Sequence, residues 1–313
     1  MIRDARYQKS GARPRLTFET GRGRYFHCKV EDFLASEEAK QLRRKVSLIF
    51  TSPPFPLNHK KRYGNLRGEE YRDWLAGLAP GLVKLLKPDG SIVIEVGNSW
   101  NPGEPTMSTL ALEALLEFKE RGGLHLCQQF VCHNPARLPS PAQWVNVERI
   151  RVKDSFTQVW WLSPTERPAA CNKRVLQEYS AAMRKLLDRG TYNAGRRPSQ
   201  HNINGETFLR NNGGAIPSNV LTFSNTTNKD DYLVYCRRHS LEPHPARMPI
   251  GLADFFVRFL TSPRNLVFDP FAGSNVTGAA AEALKRRWVA VEANGGYIRG
   301  SQGRFQTEAT GDH

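Results

Sequence analysis

Apolar residues fall into two alternating patterns along the chain. Short runs such as Val46-Ser47-Leu48-Ile49-Phe50-Thr51, Ser91-Ile92-Val93-Ile94-Glu95-Val96-Gly97 and Trp288-Val289-Ala290-Val291-Glu292 have the composition of buried parallel strands. Between them lie stretches with apolar residues three and four apart, predicting helices over 69–87, 106–121, 175–187, 249–260 and 276–287. Further strands are expected over 25–30, 124–133, 156–162 and 265–269. Strands alternating with amphipathic helices predict a doubly wound α/β sheet.

The pattern lapses in two places. Residues 1–29 carry Arg3, Arg6, Lys9, Arg13, Arg15, Arg22, Arg24 and Lys29 against Asp4 and Glu19, which reads as a basic arm, bounded at 1–24. Residues 163–241 are rich in Arg, Asn, Gly, Ser and Pro, with Arg196-Arg197-Pro198-Ser199-Gln200-His201 at their centre. Such side chains read base edges, and nearly eighty residues is long for a plain connection, so this stretch is expected to be an inserted recognition module. The α/β domain then comprises 25–162 and 242–313.

A formal net charge of +15 over 313 residues points to a polyanionic partner, nucleic acid first. The basic loop holding Lys60, Lys61 and Arg62 and the pair Arg196 and Arg197 with His201 are the expected DNA contacts. No run approaches a transmembrane span and the amino end is not signal-like, so a cytoplasmic protein is expected. Five cysteines at irregular spacing argue against a disulfide framework. Cys132-His133 lacks a second ligand pair, so no metal is expected.

The chemistry is expected where strands end. Ser52-Pro53-Pro54-Phe55 follows the first buried run. Two prolines remove two donors and fix two φ angles, leaving a rigid turn of acceptors beside the Ser52 hydroxyl and the Phe55 ring. Glu95 is a carboxylate inside a buried strand, costly without a partner or a task. Near the carboxyl end, Asp269-Pro270-Phe271-Ala272-Gly273-Ser274-Asn275 joins a strand to a helix through a glycine turn. Glu292 follows about twenty residues later, where a carboxylate holds ribose hydroxyls. The turn is not GxGxxG, which disfavours a dinucleotide enzyme.

Thr51-Ser52-Pro53-Pro54-Phe55 and Asp269-Pro270-Phe271-Ala272-Gly273-Ser274-Asn275-Val276-Thr277 together resemble the motif pair of β-class DNA amino-methyltransferases. The likeness is to the PvuII-type cytosine-N4 group, and it extends through Lys60-Lys61-Arg62-Tyr63-Gly64-Asn65, Leu138-Pro139-Ser140-Pro141, Arg151-Val152-Lys153-Asp154, Trp160-Trp161, Asn212-Gly213-Gly214 and His244-Pro245-Ala246-Arg247. The resemblance implies a Rossmann-like S-adenosylmethionine-dependent methyltransferase sheet with an inserted target-recognition module.

It implies catalytic roles for Ser52, Pro53, Pro54, Phe55 and Glu95. It implies a cofactor site of Asp269, Phe271, Gly273, Ser274, Asn275 and Glu292, closed by His244 and Pro245, with Asp32 on the adenine side. Glu95 stands where that group has an aspartate, and Val30-Glu31-Asp32 departs from its glycine-aspartate pair. The implied activity is transfer of methyl from S-adenosylmethionine to cytosine N4 in double-stranded DNA, paired in function with a restriction endonuclease; the oligomeric state is open, with a monomer favoured. Adenine N6 is the alternative target, because both reactions use the same acceptors; a serine before the prolines favours cytosine. A sequence-specific DNA-binding protein without activity is a further alternative. Cytosine-C5 methylation needs a thiolate after a proline, and no cysteine here follows one.

Overall fold

The computed structural model describes residues 11–55, 66, 68–191, 195–196, 202–203, 209–224 and 230–305. Of the expected DNA contacts, Lys60, Lys61, Arg62, Arg197 and His201 lie outside these residues. The chain divides into a large unit, residues 1–170 with 219–313, and a small one, Cys171–Ser218.

The large unit is built on a sheet with nine strands among the described residues. In chain order they are β1 (Arg15–Glu19), β2 (Gly23–His27), β3 (Val46–Thr51), β4 (Leu86–Gly97), β5 (His125–His133), β6 (Phe156–Ser163), β7 (Val220–Thr222), β8 (Leu266–Asp269) and β9 (Arg287–Glu292). Their spatial order is β1-β2-β9-β8-β3-β4-β6-β5-β7. From β2 to β4 all neighbours are parallel, so β2, β9, β8, β3 and β4 end on one edge. β8 and β9 come last in sequence yet fill the space between β2 and β3, which brings the two motif-bearing turns side by side.

Every residue of β3 is buried because both faces of the sheet are covered. Val46 and Ile49 face helices from the first half of the chain, with Tyr71, Leu75, Leu82 and Phe118. Leu48 and Phe50 face the other layer, with Leu252, Phe256, Val276 and Ala280. The helix expected over 69–87 spans Gly68–Val83. It stops early because Leu86 enters β4, pairing with Val46, and Pro88 cannot extend a helix. The helix expected over 106–121 runs Leu110–Gly122 and closes on Gly123, whose φ of 58° suits a glycine cap. The helix expected over 276–287 runs Val276–Ala283, after which the Arg286 guanidinium turns inward to the Thr261 hydroxyl and carbonyl.

Two boundaries differ from expectation. The basic arm expected over 1–24 becomes a strand from Arg15, antiparallel to β2. Phe18 draws it in, meeting Tyr25 and Phe305 at ring distances of 5.5 and 5.6 Å. At the other boundary, the recognition module expected over 163–241 is wider than the small unit. Residues 219–241 join the large unit, where Leu221 in β7 and Tyr232 in the helix Asp231–Arg238 are buried.

The small unit has the helix Ala181–Arg189, started by Ser180 Oγ accepting from Met183 N at 3.2 Å. An antiparallel pair links 195–196 to 202–203, and Gln177 bridges Ala215. Tyr179 Oη accepts from Asn212 N at 2.8 Å.

Candidate active site

A cleft of about 670 Å³ opens at the carboxyl edge of the parallel strands. Its floor is set by strand register. Thr51 pairs with Ile94, so the residues that follow, Ser52 and Glu95, are neighbours across β3 and β4. Ser52 hydrogen-bonds the Glu95 carboxylate, and Thr157 donates to it at 2.8 Å. Burial raises the Glu95 pKa, while these two hydrogen bonds and the Arg137 charge hold it down. The longer arm of glutamate therefore reaches the serine. A hydroxyl that donates to Glu95 keeps its lone pairs for another donor.

On the other side of β3, Thr51 Oγ1 donates to Asp269 Oδ1 at 2.6 Å, and Phe271 N donates to the same oxygen at 3.0 Å. This contact joins residues 218 apart in sequence and fixes the serine turn beside the glycine turn. Burial pushes the Asp269 carboxyl up to about 6. Glu292 accepts from Gly273 N at 3.0 Å and Asn294 N at 2.8 Å, yet burial still pushes it up to about 7. Gly273 has a φ of 51°, and a β-carbon there would meet the His244 ring at 3.1 Å, so only glycine suits the turn. Tyr25 Oη donates to its carbonyl at 2.8 Å. Burial lowers the His244 pKa to about 4, which keeps the ring neutral at pH 7.

These features match known proteins. The DNA methylase family, described by its N6_N4_Mtase profile, covers residues 46–303. Type II methyltransferase M.PvuII from Proteus hauseri is 43% identical over 262 residues, 83% of this chain and 78% of that protein. The chain belongs to the DNA methylase family. A solved structure described as PvuII DNA methyltransferase (cytosine-N4-specific) superposes with a TM-score of 0.74 at 35% identity, covering 93% of this chain and 88% of that one. A DNA modification methylase from Thermus thermophilus, solved in complex with S-adenosyl-L-methionine, shares the fold at 20% identity and a TM-score of 0.54, covering 94% and 96%.

In this methylase, the cleft is lined by Ser52, Pro53, Pro54, Phe55 and Glu95 at one end. His244, Pro245, Asp269, Phe271, Gly273, Ser274 and Glu292 line it toward the other. The Phe55 ring lies close enough to Gly97 that a β-carbon there would come within 2.5 Å. Two expected residues are absent from its walls. Asp32 is buried in the helix Val30–Leu34 and accepts from Gly11 N at 2.9 Å, whereas its neighbour Glu31 faces the cleft. The rotation of this helix turns Asp32 into the protein while Val30 and Glu31 remain on the cleft wall. Asn275 is also buried outside the cleft. With a φ of 57°, it caps the helix Val276–Ala283, accepting from Gly278 N at 3.1 Å.

Other wall residues carry no local signal in the sequence. Trp74 donates its indole N–H to Glu31 at 2.6 Å and meets Phe271 edge-on at 5.5 Å. Burial raises the Glu31 pKa. Tyr297 packs edge-on against His244 at 4.5 Å. The donor set suits S-adenosylmethionine: paired carboxylates for hydroxyl and amino groups, a neutral imidazole, and aromatic edges for a flat base.

Proposed function

We propose that this methylase transfers a methyl group to N4 of cytosine at a specific site in duplex DNA, and that it protects such sites from a companion restriction endonuclease. S-adenosylmethionine, when bound, supplies the methyl group as an activated sulfonium substituent. The observation that carries the reading is the strand register that sets Ser52 beside the buried Glu95, one strand from the Asp269 turn.

The cytosine amino group is a poor nucleophile because its lone pair is delocalised into the ring. Ser52 Oγ, already donating to Glu95, and the Pro53 carbonyl accept its two hydrogens as the nitrogen becomes pyramidal. The proline pair holds both acceptors in place, so no reorganisation is needed at the moment of transfer. The surplus proton leaves to solvent or through Ser52 to Glu95, whose raised pKa makes it the better acceptor. Phe55, fixed on Gly97, offers its face to a base turned out of the duplex. Glu292 holds ribose hydroxyls, Asp269 and the Gly273 turn take the methionine portion, and His244 with Pro245 closes the side.

The small unit, Cys171–Ser218, with the basic segments at 60–62 and 196–201, reads the DNA sequence. Methylation-sensitive sequencing of DNA from cells expressing the protein tests the whole reading. It should return one short site modified at cytosine N4, and CAGCTG is the first to inspect. Modification confined to adenine N6 would replace the target base, and unmodified DNA would refute the activity.

A further inference from the structure

Large apolar side chains stand in water on a segment that the mechanism above does not use. Between β5 and β6, Leu138 is 81% exposed and Val152 is 86% exposed. Val147 and Ile150 of the same segment are 68% and 48% exposed. Their backbone is firmly held. Asn134 N donates to Ser155 O at 2.8 Å and Asp154 N to Ser140 O at 2.9 Å, so the two stems of the loop run side by side. Lys153 Nζ ties them again at Pro135 O, 3.1 Å, and at Arg137 O, 3.4 Å. Arg151 Nε anchors the far stem to Pro105 O at 2.9 Å. Lys153 thus spans to Arg137, which places their sequence neighbours Val152 and Leu138 on adjacent stems.

The location is the rim of the cleft. Asn134 and Arg137 line it, and Arg137 Nη1 is fixed on Phe156 O at 3.1 Å. Leu138 is the next residue in the chain. The same segment carries Arg137, Arg149, Arg151 and Lys153 against Glu148 and Asp154, and the Arg151 and Lys153 head groups are held on backbone carbonyls rather than on carboxylates. Exposed apolar side chains on a segment with an excess of cations, beside a site that takes one base, match the chemistry of a duplex from which a base has been extracted: phosphates outside, an unstacked apolar gap within.

We propose that Leu138 and Val152 enter the duplex at the gap vacated by the target base and hold the base-flipped state. This rests on the base-methylation reading and adds to it the surface that opens the helix. A rigid, preordered loop of this kind loses little conformational freedom on insertion, so its contacts favour the flipped state directly.

The test uses the full chain with Leu138→Ala and Val152→Ala combined. Both positions are exposed, so thermal melting and S-adenosylmethionine affinity are expected to stay at wild-type values. With pyrrolo-cytosine at the target position, the fluorescence rise on binding is expected to be lost. The kcat/KM on normal duplex should fall about tenfold. Activity should return to near wild type on a duplex whose target cytosine faces an abasic site, where flipping costs less. Unchanged activity on normal duplex, or an equal loss on both duplexes, would overturn the proposal. So would a concentration-dependent dimer that the double substitution abolishes, which would assign the patch to a second copy of this chain. Failure of the wild-type protein to modify cytosine would remove the methylation reading itself, an outcome separate from an unaffected variant.

Discussion

The cleft at the strand ends and the unit Cys171–Ser218 are built on opposite terms. In the cleft, buried carboxylates are satisfied from within: Glu95 by Thr157 and Ser52, Asp269 by Thr51, and Glu292 by two backbone amides. In the small unit, Val175 and Gly214 are the buried members among the described residues, and the helix Ala181–Arg189 has no buried face. The first region carries its geometry in its own hydrogen bonds, as catalysis requires. The second leaves most of its described polar side chains exposed to solvent, as recognition of a partner requires.

That contrast predicts opposite mutational behaviour. The largest effect is expected at Ser52. Ser52→Ala should lower kcat about 10²- to 10³-fold, the usual cost of one preorganised hydrogen-bonding group, with S-adenosylmethionine affinity unchanged. Single-turnover methylation and equilibrium binding measure the two, and full turnover would remove the serine from the chemistry.

Next is pH. In the proposed cofactor site Asp269 and Glu292 accept hydrogen bonds best when ionised, and burial pushes their carboxyls up to about 6 and about 7. S-adenosylmethionine affinity should therefore fall as pH drops from about 8 to about 5.5, and Glu292→Gln should flatten the upper part of that profile. Stability of the ligand-free protein runs the other way. Because the folded Glu292 pKa lies above its ordinary 4.5, the stability it contributes is complete below 4.5 and is lost as pH rises through about 7. Calorimetric titration and melting across this range check both signs.

A smaller effect tests the packing behind the site. Gly97→Ala places a β-carbon 2.5 Å from the Phe55 ring and should cost about 1–3 kcal/mol by denaturant melting, with lowered turnover as the ring shifts. The smallest effect on the protein itself is expected in the second region. Arg196→Ala with Arg197→Ala should leave melting unchanged while reducing the salt slope of DNA binding by up to about 2. An unchanged slope would remove this segment from the DNA interface.

The sequence exposes the cleft unevenly. Ser52-Pro53-Pro54-Phe55 and the Asp269 turn are legible because each is a local signal, a buried strand ending in a turn with its own chemistry. Their meeting is not local: it depends on β8 and β9 inserting between β2 and β3. Trp74 and Tyr25 escape notice because they look like core aromatics and reach the site only through packing. Asp32 and Glu31 are adjacent carboxylates, and the rotation of a five-residue helix decides which one faces the cleft. Asn275 lies outside the cleft lining for another reason. An asparagine that caps a helix and one that binds a ligand are the same letter after a glycine turn, and here its side chain accepts from Gly278 N. The strand Arg15–Glu19 is hidden by its charges, with Leu16 and Phe18 as its only apolar alternation.

The most direct test of the account is nucleoside analysis of duplex DNA incubated with the protein and S-adenosylmethionine. The account predicts N4-methylcytosine, lost in Ser52→Ala. Recovery of N6-methyladenine or C5-methylcytosine in its place, or of no methylated nucleoside at all, would contradict it.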